Sequence, residues 1–323
     1  MRMTIFSFLK VMMAAVILAS CAVQKSLFKP ENLPPDRHWV MVQNVPVVYT
    51  DQGQGDPLLI LSPYPISTEL WKDFAGLLAT SKRVIVIEPP GLREPNAMGG
   101  DFSSEHLLQI YREFLKTLNI PVVHVLGVGE TGGLAVAFGH HFTNRIASVI
   151  SINGFQAITW SEEAKKTLDL FNEPTEVGLK KLLAIGSIRY RQQPPPREEM
   201  DRLLKPLLDQ QARKAVNDRI TAFLGDIKAS YIPTMLPTVN YPLLLVRSEN
   251  DALLPEIYLM RTRAQIRKGQ VKYRVIHQAG HLAFLDQPKE LTAVVENFMG
   301  AYPIRKATLP SQEADHPMGP LHR

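Results

Sequence analysis

The sequence predicts an α/β fold in which a mostly parallel central sheet carries helices on both faces. Short continuous apolar runs are typical of parallel strands that are buried on both sides. Helical patterns lie between several of these runs, and such alternation implies a parallel sheet. The predicted strands are Leu58–Leu61, Val84–Ile87, Val122–Leu126, Ala147–Ile152 and Leu243–Val246. The clearest helical patterns cover His106–Leu118 and Leu134–His141.

The predicted domain begins with a hairpin and is interrupted once by a helical insertion. Alternating residues on either side of Asn44 indicate two antiparallel strands. After Asn153-Gly154 the chain becomes helical and rich in Leu, Lys, Arg and Glu, until sheet-like sequence resumes near Tyr241. Beyond Tyr302 large apolar residues are scarce, which is typical of disorder. The expected parts are a core at 38–154 and 238–302, a helical lid at 155–237 and a disordered tail at 303–323.

The N-terminus is predicted to be a lipoprotein signal. Positive charge precedes an apolar stretch that follows Lys10 and is too short to cross a bilayer. Leu18-Ala-Ser-Cys21 matches the lipobox of bacterial lipoproteins, and this resemblance implies cleavage before Cys21 and acylation of its thiol. Several acyl chains on one cysteine would give stable anchoring, and Ala22 favours the outer membrane. The expected segments are a signal peptide at 1–20 and a tether at 21–37.

Composition and charge limit the expected partners. Hydrophobic residues make up 45% and charged residues 21%, as in ordinary globular proteins. The net charge of +5 is diffuse, so we do not expect nucleic-acid binding. Cys21 is the sole cysteine, which excludes an internal disulfide. No spacing indicates a zinc or calcium site, and no cofactor is predicted. An apolar lid and membrane anchoring favour a small lipophilic ligand.

A strand, a glycine-rich corner and a helix are predicted together around Gly127-Val-Gly-Glu-Thr-Gly-Gly133. This unit resembles the nucleophile elbow of the α/β-hydrolase superfamily, where G-x-S-x-G holds a nucleophile on a strained turn. We place Glu130 at the nucleophile position, with Val128 and Gly132 on either side. The resemblance extends over the whole predicted domain and implies the α/β-hydrolase fold.

Two later motifs resemble the acid and histidine segments of the same superfamily. Pro242–Pro255 is similar to the strand and turn that bear the catalytic acid, which implies that role for Asp251. Tyr273–His281 is similar to the last strand and its histidine loop, which implies a general base at His281. The chain order of elbow, acid and histidine is also that of the superfamily. The resemblance therefore implies a catalytic set of Glu130, Asp251 and His281.

The predicted oxyanion loop departs from the superfamily pattern. Most members have His-Gly after the strand that ends at Leu61, whereas this chain has Ser62-Pro63-Tyr64-Pro65. Pro63 has no backbone N–H and cannot donate to an oxyanion. The backbone N–H groups of Tyr64 and Thr131 remain as candidate donors, and Ser62 is a candidate substrate-binding residue.

Glu130 leaves three functions open. The epoxide-hydrolase branch carries Asp at the elbow, which implies a hydrolase of an ester or epoxide with a carboxylate nucleophile. Paired lid tyrosines assist ring opening in that branch, and Tyr190 and Tyr231 are candidates here. Alternatively, Glu130 holds His281 in a catalytically inactive binding or scaffold protein. A third possibility is a non-hydrolytic enzyme in which Glu130 is a general base.

Overall fold

The computed structural model describes residues 33–154, 176–201, 210–228, 231–254, 256–267 and 271–305. The predicted signal peptide, Cys21, most of the tether, part of the lid and nearly all of the tail lie outside the described residues. The chain from Leu33 onwards forms one compact unit. Among the helices of this described part, none is long and apolar enough to cross a membrane.

The described residues contain an eight-stranded sheet in the order β1-β2-β4-β3-β5-β6-β7-β8. Strand β2 pairs antiparallel with β1 and β4, and all the other pairs are parallel. The predicted mostly parallel sheet is therefore confirmed. The strands are β1 His38–Val42, β2 Val45–Gln52, β3 Pro57–Leu61, β4 Arg83–Ile87, β5 Val123–Val128, β6 Ile146–Ile152, β7 Leu243–Ser248 and β8 Val271–Ile276.

Helices follow the strands and cover the sheet, as the alternating pattern predicts. The helices are α1 Lys72–Leu78, α2 Ser104–Thr117, α3 Glu130–His141, α4 Glu176–Gly186, α5 Ile188–Gln192, α6 Gln210–Lys228, α7 Tyr231–Met235, α8 Glu256–Gln265, α9 Ala283–Asp286 and α10 Pro288–Gly300. Short 3-10 turns occur at Thr68–Trp71, Pro95–Met98, Thr143–Arg145 and Leu236–Thr238. Helices α4 to α7 lie within the predicted lid, and residues 197–201 are also helical.

The core lies on both faces of the central strands. Strands β3 and β5 are fully buried apart from one half-buried end, which explains their continuous apolar sequences. Helix α3 is buried along Thr131–Gly139, and Gly139 allows close packing because a Cβ there would lie 2.7 Å from the ring of Tyr241. Because β3, β5, β6 and β7 are parallel, their carboxyl ends meet at one edge of the sheet. Loops at this edge of an α/β sheet form a crevice.

The domain begins earlier than the predicted end of the tether at residue 37. The Arg37 side chain is only 3% exposed, and its guanidinium lies 2.8 Å from Glu69 and 3.6 Å from Glu88. Glu88 is equally buried and also accepts from Arg93 at 2.5 Å. A buried carboxylate between two guanidinium groups is compensated for its lost hydration. The last residue before β1 therefore belongs to the folded domain.

A histidine is buried in the middle of the sheet. His124 lies on β5 with no exposed surface, and its Nδ1 lies 2.7 Å from Ser148 Oγ on β6. Within the described residues its Nε2 has no hydrogen-bond partner. Burial lowers the pKa of His124 from 6.5 to about 4, since a charged imidazole would lose its hydration. The histidine is therefore neutral in the folded protein near pH 7.

His124 should make the fold sensitive to mild acid. Between pH 6.5 and pH 4 the unfolded chain binds a proton at this residue that the folded chain does not, so stability falls as pH is lowered. The loss approaches about 3 kcal/mol at pH 4. Replacing His124 with Asn, which keeps a donor for Ser148, should flatten this part of the pH dependence in urea unfolding. The exposed His277→Asn is the matched control, and an equal change in both variants would refute the assignment.

Candidate active site

The strained residue of the predicted elbow is Gly129. Strand β5 continues to Val128 and helix α3 begins at Glu130, so one residue makes the turn. Gly129 has φ 58° and ψ −120°, a conformation that disfavours any residue with a Cβ. The placement of Glu130 at the nucleophile position is therefore wrong by one residue. In the structure Glu130 is the residue that follows that position.

The close approach between strand end and helix supports the same register. A Cβ on Gly127 would lie 2.0 Å from the carbonyl oxygen of Thr131. In the G-x-S-x-G pattern the first glycine stands two residues before the nucleophile. Gly127-Val128-Gly129-Glu130-Thr131 thus corresponds to that pattern, with glycine at the nucleophile position and threonine at the last one. No side-chain nucleophile stands on the strained turn.

Glu130 instead directs its carboxylate into the oxyanion loop. Its Oε1 accepts a hydrogen bond from the backbone N–H of Tyr64 at 3.1 Å, the donor that the sequence predicts for an oxyanion. Its Oε2 accepts from Arg219 Nε at 3.0 Å. The Glu130 side chain is 12% exposed and that of Arg219 is completely buried. An ion-paired carboxylate therefore lies where a hydrolase would stabilise a transient negative charge.

Arg219 extends from the lid helix α6 into this site. It donates through Nη1 to the carbonyl of Phe102 at 3.0 Å, and Nη1 lies 3.8 Å from Asp226. Asp226 accepts a hydrogen bond from Ser104, and burial raises the pKa of Asp226. One guanidinium is thus shared between Glu130 and a second carboxylate. This network joins the lid to α2 and to the elbow.

Aromatic residues surround the Glu130 carboxylate. Tyr64 and Tyr111 are buried, and the Tyr64 ring meets Phe102 edge-on with centroids 6.3 Å apart. The Tyr64 hydroxyl donates to the carbonyl of Pro90. Burial first, and the charge of Glu130 in addition, raise the pKa of Tyr111 well above its usual range. Both phenols therefore stay protonated near the carboxylate, and their rings make its surroundings largely apolar.

Asp251 and His281 form the second pair of the site. Asp251 Oδ2 lies 2.8 Å from His281 Nδ1, and the Asp251 side chain has no exposed surface. Asp251 Oδ1 accepts from the backbone N–H groups of Leu253 and Leu254 at 2.8 and 3.1 Å. Because the aspartate accepts at Nδ1, it favours the tautomer with its proton there, and Nε2 becomes the basic nitrogen.

Two polar side chains outside the predicted catalytic set fix the histidine loop. Asn153 Nδ2 donates to the carbonyl of His281 and to Ser248 Oγ, both at 2.8 Å. Asp286 Oδ2 accepts from the backbone N–H of Gly280 at 2.7 Å, and its Oδ1 accepts from Ser187 Oγ at 2.5 Å. The loop is therefore tied both to the end of β6 and to the lid.

Ser62 and Thr131 have structural contacts in place of the predicted ligand-binding roles. Ser62 Oγ donates to the carbonyl of Ile66 at 2.6 Å and accepts from the indole of Trp71 at 2.8 Å. Thr131 Oγ1 lies 2.7 Å from the carbonyl of Leu61. After the shift of register, the amide that follows the nucleophile position belongs to Glu130, not to Thr131. The Thr131 hydroxyl therefore joins the elbow to the end of β3, and the Ser62 hydroxyl fixes the oxyanion loop to Trp71.

The predicted lid tyrosines are not both described. Tyr190 is buried, and its hydroxyl donates to Glu199 at 2.7 Å, so its proton is directed to another lid residue. Burial and this hydrogen bond raise the pKa of Tyr190. Tyr231 begins α7, but its side chain lies outside the description, as does Cys21. A metal centre is not indicated either, because the described residues contain no cluster of three potential ligands.

Glu130, Asp251 and His281 follow strands whose carboxyl ends meet at one sheet edge, but the residue that pairs with Glu130 was not predicted from the sequence. Arg219 gave no signal, because lid helices contain many arginines and its partner is 89 residues away. Gly129 could have been identified, because a glycine in the corner between a predicted strand and a predicted helix often adopts positive φ. The predicted Asp251–His281 contact, by contrast, is present.

Comparison with protein families gives one match over most of the chain. The family described as alpha/beta hydrolase fold matches residues 56–288. A 2-hydroxy-6-oxononadienedioate/2-hydroxy-6-oxononatrienedioate hydrolase from Pseudomonas putida is 24% identical over 78% of this chain and 90% of its own length. A pimeloyl-[acyl-carrier protein] methyl ester esterase from Aeromonas hydrophila is 23% identical over 77% of this chain and 97% of its own.

Solved structures share the fold at lower sequence identity. A meta-cleavage product hydrolase from Pseudomonas fluorescens matches with a TM-score of 0.71 and 16% identity, covering 82% of this chain and 97% of that protein. A bacterial membrane phospholipase A matches with a TM-score of 0.68 and 19% identity, covering 90% and 92%. The named relatives and structural neighbours are esterases, hydrolases or a phospholipase.

The Glu130–Arg219 pair should contribute to stability as a unit. Removing one partner leaves a buried charge uncompensated, so Arg219→Met should lower the free energy of unfolding by about 3 kcal/mol. The double variant Glu130→Gln with Arg219→Met should lose clearly less than the sum of the two single losses. A double-mutant cycle measured by urea unfolding gives this coupling.

The exposed pair Lys214–Asp218 on the same helix provides the control cycle. Exposed helical ion pairs couple by about 0.5 kcal/mol or less. A Glu130–Arg219 coupling as small as that of this control would contradict the proposed unit.

Proposed function

This chain belongs to the α/β-hydrolase fold family, and we propose that it binds a small lipophilic molecule in the crevice beneath its lid. It forms no covalent intermediate with that molecule. The observation that carries the proposal is the pairing of Gly129 with Glu130. The nucleophile position has no side chain, and the carboxylate beside it accepts from the oxyanion donor Tyr64. The aromatic surroundings of Glu130 favour a lipophilic ligand.

The position of Glu130 argues against its predicted role as a nucleophile. A carboxylate nucleophile needs an oxygen that can approach the substrate carbon, and ~1 Å of misplacement can cost about a hundredfold in rate. Glu130 Oε2 is held by a fully buried guanidinium, and Oε1 by the Tyr64 amide. Both carboxylate oxygens already accept hydrogen bonds, which also leaves Glu130 poorly placed to take a proton from water or substrate.

The oxyanion loop is equally unsuited to ester hydrolysis while Glu130 occupies it. A tetrahedral intermediate would place a negative charge next to the existing carboxylate, and Pro63 offers no amide to compensate. Loss of one oxyanion donor alone costs about 10²–10³ in rate. These features favour binding over acyl transfer.

A second candidate function rests on the Asp251–His281 pair. The pair keeps a 2.8 Å contact and a fully buried acid, which a binding protein does not need. His281 could activate water for direct attack on an ester or epoxide, with no enzyme-bound intermediate. Turnover that requires His281 but leaves no covalent adduct would favour this hydrolase over the binding protein.

Restoring a nucleophile tests whether Gly129 and Glu130 are what disable covalent chemistry. The variant Gly129→Ser with Glu130→Met and Arg219→Met removes both charges of the ion pair together, and Asp226 keeps its hydrogen bond from Ser104. It should react with a fluorophosphonate probe, whereas the wild type should show no adduct in intact-mass measurements. Gly129→Ser alone should react roughly 100-fold more slowly, since the carboxylate still occupies the oxyanion loop.

His281 provides the control for this experiment. Adding His281→Gln to the triple variant should abolish labelling if the restored serine depends on the histidine. Labelling of wild-type protein at Glu130, or equal labelling of Gly129→Ser with and without Glu130, would refute the proposal. Binding of a fluorescent fatty-acid analogue by the wild type, which does not react with the probe, would support the proposed binding function. Absence of such binding would count against that function.

We also propose that the protein is anchored to the bacterial outer membrane through Cys21. The support is the lipobox Leu18-Ala-Ser-Cys21 after a short apolar stretch. Expression with an alkyne-bearing palmitate should label the wild type and not Cys21→Ser. Labelling that persists in Cys21→Ser would contradict the proposal, and Lys10→Gln controls for a general effect on export.

A further inference from the structure

Helix α8 carries apolar side chains on both of its sides. Leu259 and Thr262 are buried against the domain, as expected of a helix that packs on a sheet. Ile257 and Met260, one turn apart, are instead 53% and 47% exposed. Among the described residues the other exposed large hydrophobic side chains are Met41 and Val177, each on a different element. The pair on α8 is therefore a patch, and single exposed apolar residues elsewhere need no explanation.

Arginines border this patch on both sides. With 3.6 residues per turn, Ile257, Met260 and Ala264 form one stripe along the exposed surface of α8. Arg261 flanks the stripe on one side and Arg263 on the other, and both are exposed. Glu256, the acidic residue near this face, lies 3.8 Å from Arg247. Exposed apolar side chains next to cationic ones suit contact with an anionic membrane surface, where the two kinds of side chain meet acyl chains and phosphates.

We propose that the outer face of α8, formed by Ile257, Met260, Arg261, Arg263 and Ala264, docks on an anionic phospholipid surface. The apolar side chains would enter the region between head groups and acyl chains, and the arginines would meet lipid phosphates. The arginines favour an anionic occupant and the exposed apolar pair favours a lipid one, so together they favour an anionic lipid surface over a polar, acidic protein. The inference does not depend on acylation of Cys21 or on the ligand of the site.

Helix α8 starts close to the candidate site. The helix begins at Glu256, five residues after Asp251, and so starts at the carboxyl edge of the sheet where the site lies. Ile257 and Met260 are in its first two turns. A membrane against this face would therefore be next to the edge that bears Asp251 and His281.

Vesicle binding tests the proposal with the chain from residue 22 onward, which lacks any lipid and retains the whole compact unit. It should co-sediment with vesicles of phosphatidylglycerol and phosphatidylethanolamine at least about tenfold better than with phosphatidylcholine vesicles. Arg261→Gln with Arg263→Gln should lower this partitioning about tenfold, and Ile257→Ser with Met260→Ser should do the same.

Matched controls distinguish binding through this face from a general effect of net charge or exposed apolar side chains. Lys72→Gln with Lys289→Gln makes the same change of net charge on exposed residues of α1 and α10, and Met41→Ser removes another exposed apolar side chain. Both controls should bind like the unsubstituted chain. Equal losses in controls and α8 variants, or no vesicle binding, would overturn the proposal. So would a dimer in sedimentation equilibrium that Met260→Ser dissociates, since the patch would then be a self-association surface.

Discussion

The conformation of one glycine determines where the groups of the site lie. Gly129 turns the chain from β5 into α3 with no further residue, and only a residue without Cβ adopts φ 58° and ψ −120° at low cost. The next residue is therefore the first of the helix, where a negative side chain is favoured by the helix dipole. From there the Glu130 side chain reaches the amide of Tyr64. Because a buried carboxylate needs a charged partner, Arg219 of the lid pairs with it.

The buried charges form a chain in which each member depends on the next. Glu130 shares Arg219 with Asp226, and Asp226 accepts from Ser104 on α2. Buried charged groups lose most of their hydration. Separating them within the interior would therefore cost more free energy than keeping them paired. The arrangement resembles a site with its anion already bound, except that the anion is part of the protein.

The fold and part of the site could be predicted from the sequence. Continuous apolar strands and the helices between them were readable, because burial on both faces leaves a pattern in the sequence. Asp251 and His281 were identified through motifs that end strands. The elbow was misplaced because Gly127-Val128 reads equally well as a corner and as the end of a strand. Which lid arginine points inward depends on contacts across 89 residues, and no local pattern encodes them.

Asp286 has a mechanical consequence for the lid. Its carboxylate accepts from Ser187, Ile188 and Arg189 at the start of α5 and also from Gly280 in the histidine loop. A carboxylate with four donors from two segments acts as a rivet between them. The start of α5 and the imidazole loop are therefore held together by a single side chain, and replacing Asp286 would release both at once. Arg219 on α6 joins the lid to the elbow at a second point.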